Sequence, residues 1–113
     1  MKIAIPLGDR NGLKGRVAEH FGRAEIFLIY DTETQTVDVL PNPEAEGKKE
    51  SPPDFLKRRG VGEVIVSGLG SMAREKFKNH NIRIYKAADD TVEENIRKFR
   101  KGKLTDLCKD ETS

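Results

Sequence analysis

The chain has no tryptophan, one cysteine (Cys108) and two histidines (His20 and His80) among its 113 residues. A single cysteine excludes a framework of internal disulfides and suits a reducing compartment, so a cytoplasmic location is expected. A closed zinc site needs about four Cys or His ligands. Cys108, His20 and His80 fall short of that number and lie in unrelated places. No apolar run approaches the ~18 residues of a membrane span. The opening MKIAIPLGD is interrupted at Pro6 and is too short for a secretory leader. A surplus of one charge is also missing. Lys and Arg total 21 against 19 Asp and Glu, a formal net charge of +2, well below the basic stripe of a nucleic-acid binder. A nucleic-acid ligand is not expected.

What remains is a balanced, heavily charged sequence. Hydrophobic and charged residues each make up 35%, with both signs interspersed and the apolar residues gathered into short runs. That pattern gives a compact domain with a charged surface, not a disordered chain. The length allows one domain, expected over residues 1–104 with a polar tail at 105–113. Abundant Lys, Arg and Glu beside a single glutamine, Gln35, is a balance common in heat-adapted proteins.

KIAIPL (2–7) is apolar and β-branched and predicts a first strand. GDRNGLKG (8–15) is a loop by its turn residues. EIFLIYD (25–31) is a nearly continuous apolar run, as expected of a strand buried on both faces. TVDVLPN (36–42) alternates and stops at Pro41, which predicts an edge strand in a hairpin with its predecessor. The polar 43–50 segment reads as a mobile loop. Ser51 is an N-cap signal with Pro52 at the first helical position, opening a short helix that ends at Gly60. EVIVSG (63–68), SMAREKFKNH (71–80) and IRIY (82–85) predict strand, helix and strand. Thr91 and Glu94 form a capping-box signal for a last helix striped by Val92, Ile96 and Phe99. The order β-β-β-α-β-α-β-α implies right-handed crossovers in its second half and a mixed sheet. The expected fold is a three-layer α/β/α domain with five strands.

Two stretches carry candidate chemistry. VIVSGLGSMA drives a buried strand through Gly68 and Gly70 into a helix, so the backbone can turn tightly and leave N–H groups for an anion. Such turns lie outside the carboxyl ends of the strands, where open α/β sheets bind ligands. The same residues also fit a plain tight connection with Ser71 as N-cap. The turn is neither a dinucleotide fingerprint nor a Walker A loop. AEHFGRAEIF, residues 18–27, places His20, Phe21, Gly22 and Arg23 just ahead of the second strand. His20 offers an imidazole to a metal or metal cluster, and Arg23 offers a fork of donors to an anionic oxygen. A loop histidine beside phenylalanine is also an ordinary structural arrangement. If the second strand runs antiparallel to the first, His20 and Arg23 meet the Gly68–Gly70 turn.

Other residues read as structural. His80 closes a helix C-terminus, and Cys108 stands alone in the tail. The basic run RKFRKGK (97–103) is a solvated helix end followed by Asp106 and Asp110. No Gly-x-Ser-x-Gly elbow is present, and Asp9 alone does not make a two-metal site. No enzymatic activity is expected.

Taken together, MKIAIPL, EHFGRAEIFLIYD, PNP, GVGEVIVSGLGSMAREKF and TVEENIRKFRKGKL resemble the dinitrogenase iron–molybdenum cofactor biosynthesis family over residues 1 to about 104. The resemblance implies a ribonuclease-H-like α/β/α fold without nuclease carboxylates. It also implies a cleft bordered by His20, Phe21, Gly22, Arg23, Gly68 and Gly70, with Ser71 beside it. The implied function is that of a non-enzymatic carrier or chaperone for an iron–molybdenum or iron–sulfur type cluster or its precursor, with His20 as metal ligand. Many members carry a Gly- and His-rich loop after the Asn-Pro. Here EAEGKKESPP (44–53) has no such ligand, so any cluster is expected to be held weakly or transiently. The expected partners are an anionic metal cluster or small anionic ligand, with cluster-assembly proteins. The alternative is a metal-free regulatory or protein-interaction module of the same fold.

Overall fold

In a computed structural model, which describes residues 1–88 and 91–107, the first apolar run forms β1 (Lys2–Leu7) at the middle of the sheet. β2 (Ile26–Asp31) pairs with it antiparallel, Leu7 opposite Ile26 and Lys2 opposite Asp31. β3 (Thr36–Pro41) completes the hairpin as an edge strand and is largely exposed. Its tight turn rests on Asp31, whose carboxylate accepts the Glu33 and Thr34 N–H groups. On the other flank β4 (Val61–Val66) runs parallel to β1, and β5 (Arg83–Lys86) runs parallel to β4. The sheet has six strands in the order β3-β2-β1-β4-β5-β6, not the five expected. The sixth is β6 (Thr105–Asp106), two residues antiparallel to β5 at the start of the segment expected as tail. Leu107 fixes it there, donating its N–H to Ile84 and packing against the core. Two residues give no period to read, which is why the sequence conceals this strand. Cys108 lies outside the described residues.

Alternation along the strands builds two apolar layers. Ala4, Phe27, Ile29, Val64, Val66 and Ile84 face α1 (Pro52–Arg58) and α2 (Ser71–Asn79), where Phe55, Leu56 and Phe77 pack. Ile3, Ile5, Leu28, Tyr30 and Ile65 face α3 (Val92–Arg100), which presents Val92 and Ile96. The result is helix, sheet and helix in three layers. One irregularity changes which face β4 shows. Lys2 is opposite Val61 but Ile3 is opposite Glu63, so Gly62 is an inserted residue. Val61 therefore enters the α1–α2 layer, while Glu63 lies on the other face with Tyr85, buried to 6% exposure.

The helix ends follow their local chemistry. The Ser51 hydroxyl accepts the Asp54 N–H at α1, and the Thr91 hydroxyl accepts the Glu94 N–H at α3. On the surface of α3, Glu94 pairs with Arg97 three residues on. At the start of α2 the capping residue is Gly70, with Ser71 as the first helical residue and no side-chain cap. His80 caps the other end. Its Nε2 lies 2.7 Å from Asp54 Oδ1 and its carbonyl accepts Lys57 Nζ, so it joins α2 to α1.

Candidate functional site

The carboxyl ends of β1, β4 and β5 and the start of β2 share one edge of the sheet, because β2 alone among these four runs the other way. Two arms of backbone wrap the end of β1 at that edge. On the β2 side, Leu7 is opposite Ile26. On its other side Leu7 bridges Val17, Ala18 donates to the Pro6 carbonyl, and Gly8 donates to the Arg16 carbonyl. Between the arms opens a pocket of about 670 Å³ with an apolar floor of Leu7, Val17 and Ile26. These three belong to the α3-side layer.

The loop between Leu7 and Arg16 is held by Asp9. Its carboxylate accepts the Asn11 N–H at 3.0 Å and the Arg16 N–H at 3.2 Å. A Cβ on Gly15 would lie 2.3 Å from Asp9 Oδ1, so only glycine lets the carboxylate reach across. Gly15 in turn accepts the Val92 N–H, joining the loop to the start of α3.

The other arm carries the HFGR segment. Phe21–Arg23 form one 3-10 turn with His20 as N-cap. Phe21 is 2% exposed; its ring stacks on Phe27 and meets Phe77 edge-on, centroids 5.2 Å apart in both cases. It anchors the turn to the α1–α2 layer of the core. Gly22 is exposed with open space around its Cα. His20 and Arg23 line the pocket, and neither side chain has a hydrogen-bond or ion-pair partner among the described residues.

The Gly68 turn stands directly behind His20. The Phe21 N–H donates to the Gly68 carbonyl at 3.0 Å. A Cβ placed on Gly68 would lie 2.5 Å from the Glu19 carbonyl oxygen and 3.6 Å from His20 Nδ1. The distant hinge and the early loop that carries His20 are therefore in contact, through a close backbone approach that glycine permits. Gly68 supports the segment behind His20, and none of Gly68, Gly70 and Ser71 is part of the pocket lining. Gly70 and Ser71 are exposed, and a Cβ on Gly70 would meet nothing within 4 Å.

Charge in the pocket is mixed. Arg10, Arg16 and Arg23 face Asp9, Glu19 and Glu25. Arg10 and Glu25 pair at 3.2 Å, and Asp9 is committed to its own loop. Arg10 and Arg16 are among the lining residues that sequence reasoning missed, because a loop arginine carries no spacing signal until the arms close. Among the described residues no three His, Cys, Asp or Glu side chains are grouped so as to hold a metal ion. No helix among them is long and apolar enough to cross a membrane.

Proteins of similar sequence and fold are known. A Thermotoga protein solved by NMR as a candidate NifB protein of the DUF35 family is 35% identical, covers 94% of this chain and 92% of its own, and superposes with a TM-score of 0.79. A crystal structure of a candidate dinitrogenase from Methanocaldococcus jannaschii is 25% identical over 95% of this chain and 94% of its own, with a TM-score of 0.73. An uncharacterized protein of Methanocaldococcus jannaschii is 33% identical over 110 residues, 92% of this chain and 89% of the relative. The family model described as dinitrogenase iron-molybdenum cofactor matches residues 1–102. The chain belongs to that family.

Proposed function

We propose that the protein is a non-enzymatic carrier that holds an iron–molybdenum or iron–sulfur type cluster, or a precursor of one, for transfer between cluster-assembly proteins. The observation that carries this reading is His20: an unpartnered imidazole lining a 670 Å³ pocket, on a backbone that the Phe21 N–H ties to the Gly68 carbonyl. Family membership supports the class of cargo. The ribonuclease-H-like grouping of the fold belongs to the same proposal.

The donor set sets the strength of holding. Clusters are bound tightly by several thiolates or imidazoles, whereas His20 is the one such side chain lining this pocket among the described residues. One metal–nitrogen bond, with Arg23 donating to anionic sulfur or oxygen at the cluster edge, leaves the other metal positions to small exchangeable ligands. Such cargo leaves readily when a recipient offers thiolates, which is the property a carrier requires. The uncapped start of α2 at Gly70 and Ser71 adds a positive dipole end beside the wall. Phe21 and Gly22 serve by position, one anchoring the turn and the other leaving its outer side open.

The mixed charge of the pocket favours a second reading, a metal-free regulatory or interaction module that uses the same cleft for a polar partner segment. Anaerobic titration with a thiolate-ligated iron–sulfur cluster, followed by visible absorption, separates the two. The carrier reading expects uptake by the wild type and marked loss in His20→Ala. Equal spectra for the two proteins refute the role of His20, and no uptake by either refutes the carrier.

A further inference from the structure

The two arms over the end of β1 carry one uncommitted arginine each. Arg23 comes from the β2 side and Arg16 from the opposite side, where Val17 bridges Leu7. Both line the same pocket, and neither guanidinium has a partner among the described residues. The pocket's other charges are largely answered: Arg10 pairs with Glu25 at 3.2 Å, and Asp9 takes the N–H groups of Asn11 and Arg16. Glu19 is the one carboxylate set against two free guanidiniums.

We infer that Arg16 and Arg23 form a clamp that selects ligands with two anionic edges. This inference deepens the carrier reading, since it names the charge class that the same pocket accepts, but it does not require a metal. Arg16 is held as a clamp jaw should be. Its N–H is bound by Asp9, its carbonyl by Gly8, and its backbone bridges Thr91 at the start of α3. An exposed arginine on a floppy loop loses much of its gain to ordering; here the backbone is fixed and only the side chain remains to be ordered. Planar guanidiniums carried by two different arms suit a bidentate grip on oxygen or sulfur acceptors, which a lysine point charge does not reproduce. A monoanion engages one jaw, and a dianion spanning the pocket engages both.

The probe is inorganic pyrophosphate, a metal-free ligand with an anionic phosphate at each end, measured by calorimetry at low ionic strength against wild type, Arg16→Ala, Arg16→Lys, Arg23→Ala and Val39→Ala. Arg16 is exposed, so its variants are expected to fold, which circular dichroism checks. Arg16→Ala and Arg23→Ala are each expected to weaken binding about tenfold or more. Arg16→Lys should recover part of that loss, and added salt should weaken the wild type more than either alanine variant. Val39→Ala, exposed on the edge strand and outside the pocket lining, should bind pyrophosphate like the wild type. No binding by the wild type, or equal binding by wild type and Arg16→Ala, overturns the clamp. The carrier reading is judged separately: a wild type that grips pyrophosphate through both arginines but takes up no cluster sinks the carrier and leaves the clamp standing. A wild type that takes up cluster and binds pyrophosphate without Arg16 does the reverse.

Discussion

Gly68→Ala tests the contact on which the candidate site depends. Gly68 does not have a positive φ, so alanine meets no conformational obstacle and the cost is purely one of space. The added methyl would stand 2.5 Å from the Glu19 carbonyl oxygen, a backbone atom that cannot rotate away. Relief requires the Glu19–His20 segment to back off, which also stretches the 3.0 Å hydrogen bond from Phe21 N–H to the Gly68 carbonyl. Overpacking of this kind costs ~1–3 kcal/mol, and weakening one backbone hydrogen bond adds ~1 kcal/mol. The sum, roughly 2–4 kcal/mol, lowers Tm by roughly 10 °C for a chain of this length. Gly70→Ala is the internal control. Nothing lies within 4 Å of its Cβ, and alanine for glycine at an N-cap costs at most ~1 kcal/mol. Thermal melts of both variants, with His20 ring resonances followed by NMR, decide the matter. The expected result is a large loss and a shifted His20 signal for Gly68→Ala, and little of either for Gly70→Ala. Equal stabilities, or an unmoved His20 signal in Gly68→Ala, would refute the close approach and with it the wall behind the imidazole.

Burial pushes the Glu63 carboxyl above its ordinary value of 4.5, with the Tyr85 hydrogen bond and Arg83 opposing. A raised folded value means that its share of stability is held below pH 4.5 and lost as pH rises through the folded value. Glu63→Gln should therefore match wild type at low pH and gain on it above that range in urea melts. Asp54 behaves oppositely. The His80 hydrogen bond, then that of Ser51, holds its carboxyl below 3.8, so its contribution is complete above the unfolded value and lost as pH falls through the folded one. Asp54→Asn should cost stability at neutral pH, with the gap closing under acid. Phe21→Ala removes a ring packed between Phe27 and Phe77 and should cost ~3–5 kcal/mol, read as a large drop in urea midpoint.

Most of the fold is legible in the sequence because each strand of the main sheet buries enough to show a pattern. Ile26 through Tyr30 are all buried, and the unbroken apolar run says so. The exposed alternation of Val37 and Val39 likewise marks an edge. Ser51 and Thr91 announce their helices through hydroxyls that do accept the expected N–H groups. What the sequence conceals is decided by partners far away. Thr105 and Asp106 become a strand only because β5 offers a free edge, and Gly62 becomes a bulge only because β1 sets the register beside it. Ser71 has the composition of a cap, yet the chain enters α2 one residue earlier, at Gly70.

The site was legible in part, and the division has a physical cause. His20 and Gly68 are 48 positions apart, yet their meeting follows from two local facts: a strand that returns antiparallel beside β1, and a turn at the carboxyl end of β4. Sequence reasoning reaches both. Arg16 follows from neither. It reaches the pocket because Asp9 turns its carboxylate inward across a glycine that has no side chain to stop it, and a single Asp six residues before a Gly announces nothing. The same logic separates Phe21 from its neighbours. Within four residues one side chain is sunk in the core, one is absent, and two line a pocket, because a 3-10 turn sends successive side chains about 120° apart. Adjacency in the motif therefore fixes where the segment lies, while the direction each side chain takes from that turn decides which of them can reach the pocket.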